Sequence, residues 1–238
     1  MSTKTVKEKC LSFLRRQWLE WRTTLFVIVF GLVPLKSSFA DWNWVPTSSM
    51  NPTILEGDMV FVNKMAFGLR VPLTMKRVGR WADPEPGDIV VLFSPEDGIR
   101  LVKRVIGVPG DRIEMRDNQL FVNGERLKYG ALPVGFSSGL EKNLEKRAVF
   151  AEETIGRRGH AVMAIPSVLG ARRSFEPIEV PDGKYFVMGD NRDVSHDSRA
   201  FGLADREQII GEATHVIVSF NILDRLQPRW SRFFSKLL

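Results

Sequence analysis

The sequence has few cysteines and histidines, the residues that most often form disulfides and metal sites. Its 238 residues include a single cysteine, Cys10, so an intramolecular disulfide is impossible. Its three histidines, His160, His196 and His215, stand far apart and match none of the usual ligand spacings. We therefore expect no metal ion and no other cofactor.

The positive charge of the chain does not lie on the body of the protein. The formal net charge is +6 at pH 7, but Lys and Arg exceed Asp and Glu chiefly in residues 1–22 and 224–238. A protein that binds nucleic acid usually carries a basic face on the folded domain itself. Charge at the two ends is more typical of contact with a membrane surface. We expect membrane lipids as a partner and no nucleic acid.

A long apolar run is also missing. The apolar stretch Thr23–Leu35 is shorter than the roughly 20 residues of a spanning helix. A signal-anchor over residues 23–40 becomes long enough if Lys36 extends its amine to the interface. The alternative is a cleavable signal peptide, with Ser38 and Ala40 at the −3 and −1 positions. We favour a retained anchor, and the basic residues before it predict a cytoplasmic amino terminus.

After Pro46 the pattern changes to short runs rich in Val, Ile and Phe, separated by turn residues. Strands are predicted at Asp58–Lys64, Asp88–Phe93, Arg100–Val108, Asp111–Met115, Lys184–Asp190 and His215–Phe220. A hairpin is predicted at Asn118–Leu127, with Asn123-Gly124 in a type I′ turn. Several short strands with little helix predict a mainly β, antiparallel architecture.

The length of the chain allows one domain with a sizeable insertion. The strand pattern weakens between Lys128 and Val180, which indicates a smaller inserted subdomain. The predicted divisions are a basic tail, an anchor, a β domain in two parts around the insertion and an amphipathic end: 1–22, 23–40, 41–127, 128–180, 181–223 and 224–238. Large apolar residues at helical spacing predict that this end forms a helix, lying on a membrane or packed on the domain: Trp230, Phe233, Phe234, Leu237 and Leu238.

Three segments carry residue types that hydrolases use. They are "PTSSMNPT" at 46–53, "LVKRVIGVPGD" at 101–111 and "GDNRDVSHDSRAFG" at 189–202. Taken singly, each also has a structural explanation. Ser49 fits a polar turn, Lys103 fits the outward face of a half-buried strand, and the third segment fits a solvated loop with ion pairs.

Together the three segments resemble the type I signal peptidases, the membrane-bound Ser-Lys peptidases that remove signal peptides. The first matches Ser-Met-x-Pro-Thr, the second Lys-Arg-x-x-Gly-x-Pro-Gly-Asp, and the third Gly-Asp-Asn-Arg-Asp-x-Ser-x-Asp-Ser-Arg. The resemblance covers roughly Val45–Leu127 and Lys184–Phe220. It implies the antiparallel-sheet catalytic domain of that family, with an N-terminal membrane helix and an inserted subdomain.

The resemblance implies that Ser49 is the nucleophile and Lys103 the general base. A serine hydroxyl needs a base to take its proton. A lysine amine, with a pKa of about 10.4 in water, can act as that base only when burial favours its neutral form. Ser195 would orient Lys103 through a hydrogen bond, while the Ser49 N–H and the Thr47 hydroxyl would bind the developing oxyanion.

The resemblance also assigns supporting residues and a substrate. Gly189 would leave room for the lysine, and an ion pair between Asp197 and Arg199 would hold the loop. Preprotein signal peptides, with small residues at −1 and −3, would add a strand to an exposed sheet edge. Val45 and Val102 are candidates for lining the pockets, although a structural role for both remains open. The resemblance places the protein in the bacterial inner membrane, single-pass, with its catalytic domain on the extracytoplasmic side.

Two other classes and one other mechanism compete. Self-cleaving repressors share a Ser-Met nucleophile and a later lysine, but they would carry a helix-turn-helix where this chain has its apolar run. A membrane-anchored domain that binds peptides without cutting them is disfavoured by the joint presence of Ser49, Lys103 and Ser195. A Ser-His-Asp triad with His196 and Asp197 is disfavoured because adjacent residues on a polar loop rarely align with a nucleophile.

Overall fold

The structure is a computed structural model that describes residues 17–32, 38–70, 77–134, 136, 139–222 and 224–237. Most of the predicted basic tail, with Cys10, and residues 33–37 of the predicted anchor lie outside the described residues. From Ala40 onward the main regular structure of the described chain is antiparallel β-sheet, which confirms the predicted fold class.

The largest sheet carries the three motif segments at or beside its strands. Its eight strands are β1 (Ala40–Trp44), β2 (Asp58–Asn63), β5 (Ile89–Phe93), β6 (Arg100–Gly107), β14 (Lys184–Met188), β15 (Ala204–Asp205), β16 (Ile209–Asn221) and β17 (Gln227–Pro228). Their order is β1-β2-β16-β5-β6-β14-β15, with β17 beside β16. All these pairings are antiparallel.

Three smaller sheets complete the strands of the described chain. One has β7 (Arg112–Arg116), β8 (Gln119–Val122), β9 (Glu125–Arg126) and β13 (Phe175–Glu179), and another has β10 (Lys128–Gly130), β11 (Val149–Ile155) and β12 (Arg158–Ala164). The third pairs β3 (Leu69–Arg70) with β4 (Arg77–Gly79). The predicted hairpin is confirmed, because Asn123 and Gly124 both have positive φ, 55° and 83°, between β8 and β9.

The apolar runs form strands because the large sheet buries one face of some strands and both faces of β5. In β5, Ile89 and Val91 belong to one hydrophobic cluster, and Val90 and Leu92 belong to a second cluster on the other face. Burial of both faces accounts for the unbroken apolar run of this strand. The neighbouring strand β6, which carries Lys103, is thereby held against a well-packed layer.

The predicted insertion does not form one separate sheet. β10, β11 and β12 form a sheet of their own, with a short helix, α2 (Lys142–Arg147), between β10 and β11. β13, however, pairs with β7, which precedes the predicted boundary at residue 128. The division at 128–180 stays a prediction.

The amino-terminal segment is helical where it is described. Residues 17–27 form an α-helix, α1, which continues as a π-helix at Ile28–Leu32. Large apolar side chains from Leu25 to Phe30 are exposed. Within the described ranges, no helix is both long enough and apolar enough to cross a membrane.

The predicted C-terminal helix is wrong for the described residues 224–237. Only a 3₁₀ turn forms there, at Trp230–Arg232. The backbone instead pairs as a strand at Gln227–Pro228, and proline cannot supply the N–H of a continuing helix. Arg225, Leu226 and Phe234 have positive φ, which ends helical geometry on both sides of the turn.

Candidate active site

The nucleophile candidate lies in a short turn between β1 and β2. Thr47 is extended, with φ −125° and ψ 153°, and Ser48–Met50 form a single 3₁₀ turn. Met50 is fully buried in the hydrophobic cluster of the large sheet, and its packing there holds the turn in place. Ser49 remains partly exposed. The local sequence thus presents a hydroxyl at the surface on a turn anchored by its neighbour.

Lys103 meets Ser49 from strand β6, which lies three strands away from β2 in the large sheet. Its Nζ lies 2.7 Å from Ser49 Oγ, within hydrogen-bond distance. The lysine is only 2% exposed. Burial lowers the pKa of Lys103 to about 8, while the carboxylates of Asp197 and Asp190 oppose that shift. An amine with this pKa is available as a base near neutral pH, which an exposed lysine is not.

Gly189 is the point at which the third motif meets the nucleophile turn. A Cβ atom on Gly189 would lie only 2.2 Å from the Ser49 carbonyl oxygen and 2.3 Å from Ser195 Oγ, so no larger residue fits. The structure therefore brings Ser195 close to the nucleophile turn. Its hydroxyl is buried but forms no hydrogen bond with Lys103, so the bond that the resemblance implies is not formed here. Its orienting role stays a prediction.

Asp197 and Arg199 form the ion pair that the resemblance implies. Arg199 donates from Nε and Nη2 to the two carboxylate oxygens of Asp197, at 2.9 and 2.8 Å, and both side chains are nearly fully buried. Asp197 also accepts the N–H of Gly189 at 3.0 Å. Although burial by itself raises it, Arg199 and this N–H hold the pKa of Asp197 below its usual value. The pair thus fixes the backbone at Gly189.

The remaining predicted residues surround this centre less directly. Thr47 is exposed and its side chain does not cap the 3₁₀ turn, so its hydroxyl is available to a ligand. Val45 is 3% exposed and lies inside the hydrophobic cluster, while Val102 is partly exposed and packs against that cluster. Val102 is therefore the better placed of the two valines to touch a substrate. The role of both as a pocket lining stays a prediction.

The alternative triad finds no geometric support in the described residues. His196 is 61% exposed and its Nε2 lies 2.8 Å from Glu96 Oε2, on the surface. Asp197 is occupied by Arg199 and Gly189. In the same ranges, no group of three or more His, Cys, Asp or Glu side chains is arranged to hold a metal ion.

Sequence reasoning missed several residues that build the site. Arg104, next to the lysine, donates from Nε and Nη2 to both oxygens of Asp190, at 2.9 and 2.8 Å. Thr53 Oγ1 donates to the same carboxylate at 2.5 Å. Asn191 contacts the nucleophile turn itself, through its backbone N–H and its side-chain amide. All four lie in the three motif segments, and their types suggested polar contacts, but their partners lie up to 143 residues away in sequence.

Comparison with known proteins gives the same family. A family model described as signal peptidase, peptidase S26, matches residues 16–218. Signal peptidase I of Pseudomonas fluorescens is 34% identical over 214 residues, which cover 85% of this chain and 73% of the relative. Signal peptidase I of Bacillus licheniformis is 32% identical over 203 residues, covering 85% of this chain and 89% of the relative. A signal peptidase I crystal structure from Enterococcus faecalis V583 is 33% identical, with a TM-score of 0.35, and the match covers 56% of this chain and 98% of that one.

The chain therefore belongs to the signal peptidase family, peptidase S26, whose members are serine peptidases. The family match spans all three motif segments and the predicted insertion. It confirms the resemblance that the motifs indicated. The same match argues against the competing class, the self-cleaving repressors.

Proposed function

We propose that this peptidase removes N-terminal signal peptides from exported preproteins, with Ser49 as nucleophile and neutral Lys103 as general base. The observation that carries the proposal is the 2.7 Å separation of Lys103 Nζ and Ser49 Oγ, at a lysine that is 2% exposed. The substrate class is supported by the relatives, which carry the name signal peptidase I.

The chemistry follows from the two side chains. Ser49 Oγ attacks the scissile carbonyl while its proton passes to Lys103 Nζ. The Ser49 N–H and the Thr47 hydroxyl bind the resulting oxyanion. Lys103 then returns the proton to the leaving amine, which frees the mature protein and leaves an acyl-enzyme. A water molecule, activated by the same amine, hydrolyses the acyl-enzyme and restores the serine.

The substrate reaches the nucleophile along an edge of the large sheet. β1 pairs with β2 on one side and is the terminal strand of the sheet. An edge strand presents unpaired N–H and C=O groups, which an extended peptide can use by adding a strand. β1 leads through Val45 directly into the turn that carries Ser49. Signal peptide residues paired along this edge would therefore be delivered to the nucleophile.

We place the enzyme in the bacterial plasma membrane, with residues 23–40 as a single anchor and the amino terminus in the cytoplasm. Support comes from the exposed apolar side chains between Leu25 and Phe30, which are 41–68% exposed in the described helix. Contiguous exposed apolar surface of this kind is typical of contact with lipid or another protein. Retention of the anchor is supported at Ala40, which is already paired with Asn63 in the sheet. A protease needs an extended, unpaired segment at its cleavage site.

Cleavage of a preprotein by the detergent-purified chain tests the chemistry. Wild type is expected to release the mature protein, and Ser49→Ala and Lys103→Met are expected to lose at least about a thousandfold in rate. The matched controls are Ser231→Ala and Lys146→Met, because both residues are exposed. These two variants should cleave the preprotein at the wild-type rate. Full activity of a folded Ser49→Ala or Lys103→Met enzyme would remove that residue from the mechanism.

The location needs its own experiment. Alkaline extraction of membranes from expressing cells should leave the chain in the membrane pellet. A protease added on the extracytoplasmic side should digest the catalytic domain but not a tag at the amino terminus. Recovery of a soluble chain that begins at Asp41 would establish the cleavable signal peptide instead.

A further inference from the structure

The direction of the Ser49 N–H is fixed by the carbonyl that precedes it. A peptide unit is planar and trans, so the C=O of Ser48 and the N–H of Ser49 point in opposite directions. Any group that holds the Ser48 carbonyl therefore also aims the Ser49 N–H. Within the described chain, no carbonyl or side chain accepts that N–H, which leaves it available to a ligand.

Asn191 holds both carbonyls of the nucleophile turn. Its side-chain Nδ2 donates to the Ser48 carbonyl oxygen at 3.2 Å, and its backbone N–H donates to the Ser49 carbonyl oxygen at 3.1 Å. Asn191 itself is 1% exposed. Since a carbonyl can only accept, the amide nitrogen must face Ser48, and the orientation of the side chain is determined.

The support behind Asn191 is rigid. Its neighbour Asp190 carries the bidentate ion pair with Arg104, and its other neighbour, Arg192, is paired with Glu153. Asn191 also forms a parallel β-bridge with Met163 of β12. The Ser48 carbonyl accepts a second hydrogen bond, from the Asn51 N–H at 3.0 Å, but Asn51 is part of the same turn and moves with it. Asn191 is the contact that ties the peptide to the rest of the fold.

We propose that Asn191 is a positioning residue for the oxyanion hole, because its amide holds the Ser48–Ser49 peptide in the orientation that presents the Ser49 N–H to the scissile carbonyl oxygen. Without the amide, the Ser48 carbonyl keeps only the hydrogen bond from Asn51 within the turn, so the Ser48–Ser49 peptide can rotate as a unit. The donor would then point away from the oxyanion in part of the population. Binding of the planar substrate, which makes little use of this donor, would change little.

Steady-state kinetics of Asn191→Ala test the proposal, which rests on the Ser-Lys chemistry proposed above. The variant keeps its backbone N–H bond to Ser49, so the turn stays attached. We expect kcat to fall about 10- to 100-fold, which is less than the loss of a whole oxyanion donor, with KM changed less than about threefold. The pH midpoint of kcat/KM should stay at the wild-type value, because the environment of Lys103 is untouched. Asn63→Ala, a change at the far end of β2, is the matched control and should leave kcat unchanged.

A transition-state analogue separates positioning from a general structural defect. A peptide boronate, whose tetrahedral adduct places an oxygen in the oxyanion hole, should bind Asn191→Ala more weakly by the same factor as the loss in kcat. A non-cleavable peptide of the same sequence should bind both enzymes equally. If Asn191→Ala does not fold, Asn191→Asp keeps the size of the side chain, loses the donor and should show the same loss.

The outcomes distinguish this inference from the proposed function. Loss of activity in Ser49→Ala and Lys103→Met, together with a wild-type kcat in folded Asn191→Ala, overturns the inference alone. Equal weakening of the boronate and of the non-cleavable peptide also overturns it, because that pattern indicates a distorted site. Activity retained in Ser49→Ala overturns the proposed function instead.

Discussion

A lysine whose pKa lies near 8 makes the rate of this enzyme depend on pH over a defined range. Burial disfavours the ammonium form of Lys103 and lowers its pKa to about 8. Only the neutral amine can take the proton of Ser49, so kcat/KM should rise about tenfold per pH unit below pH 8 and level off above it. A pH profile of kcat/KM with a preprotein substrate measures the midpoint. A midpoint near 6.5 would indicate a histidine base, and one near 10 a lysine that is not desolvated.

The close contact at Gly189 predicts a large effect from a single methyl group. The Cβ of Gly189→Ala would meet the Ser49 carbonyl and Ser195 Oγ well inside normal contact distance. The turn must therefore shift, and a displacement of this size can lower the rate by about a hundredfold. Overpacking should also reduce the free energy of unfolding by about 1–3 kcal/mol.

Gly130→Ala is the matched control for that substitution. The nearest atom to its added Cβ is 3.9 Å away, an ordinary contact, and its φ is not positive. Rates and urea unfolding should therefore be close to wild type for Gly130→Ala. Wild-type activity in Gly189→Ala would mean that the nucleophile turn tolerates displacement.

Strand β6 carries two buried basic residues with different roles, one as the proposed base and one in an ion pair. Burial lowers the pKa of Lys103, the proposed base, to about 8, while its neighbour Arg104 forms a bidentate pair with Asp190. Removing one partner of a buried ion pair leaves an uncompensated charge and costs about 3–5 kcal/mol. Arg104→Met should therefore lower the free energy of unfolding by that amount, as measured by urea denaturation. Arg116→Met removes an exposed pair with Glu114 and should cost less than about 1 kcal/mol.

The sequence predicted the strands of this fold better than it predicted the C-terminal segment. Runs of Val, Ile and Phe between glycine turns identified β2, β5 and β6 almost to the residue, because these strands bury one or both of their faces. The C-terminal segment has helical spacing, yet its backbone hydrogen bonds go to β16, at Phe220 and Asn221. Residues 234–237 also exchange backbone hydrogen bonds with Thr214, Val216 and Ile217 of the same strand. The spacing of apolar residues does not encode such pairing, so the helix prediction failed.

The candidate site shows the same limit. The motifs identified Ser49 and Lys103 in two separate segments of the sequence. The structure brings their side chains within hydrogen-bond distance. The motifs could not show that Asn191 holds the Ser48 carbonyl, because that contact joins residues 143 apart in sequence. A polar residue within a motif signals a role, but only the folded chain reveals the partner.

For the molecule as a whole, the sheet of β10, β11 and β12 is joined to the catalytic centre by a buried charge network. Arg192, from the third motif, pairs with Glu153 of β11, while Met163 of β12 exchanges backbone hydrogen bonds with Asp190 and Arg192. Arg192 holds the pKa of the Glu153 carboxyl well below its usual range despite burial. The predicted insertion therefore supports the segment that carries Asn191.

This network predicts that the protein loses stability in acid. Asp190, Asp197 and Glu153 have folded-state pKa values below their unfolded ones, because neighbouring arginines outweigh the effect of burial. Their stabilisation is present above about pH 4 and is lost as the pH falls through the folded values. His160, whose pKa is lowered by burial and by Arg104, adds a loss that begins below about pH 6.5.

The measurement is the free energy of unfolding in urea between about pH 7 and pH 3. It should fall continuously over that range, because the unfolded chain binds more protons than the folded one. A flat profile would show that these buried carboxylates and the histidine titrate alike in both states.

The length of chain that leads from the described helix through β1 limits how far Ser49 can lie from that helix. Ser49 lies seventeen positions after Leu32, where the described helix ends, and a fully extended chain spans at most about 3.6 Å per residue. With the anchor proposed above for residues 23–40, the nucleophile would stay within about 60 Å of the end of that helix. Enzyme and preprotein would then be confined to the same thin layer, where their encounter would depend on surface density more than on bulk concentration. Such an enzyme can process weakly bound substrates at a useful rate, and release from the membrane would slow cleavage without any change in the site.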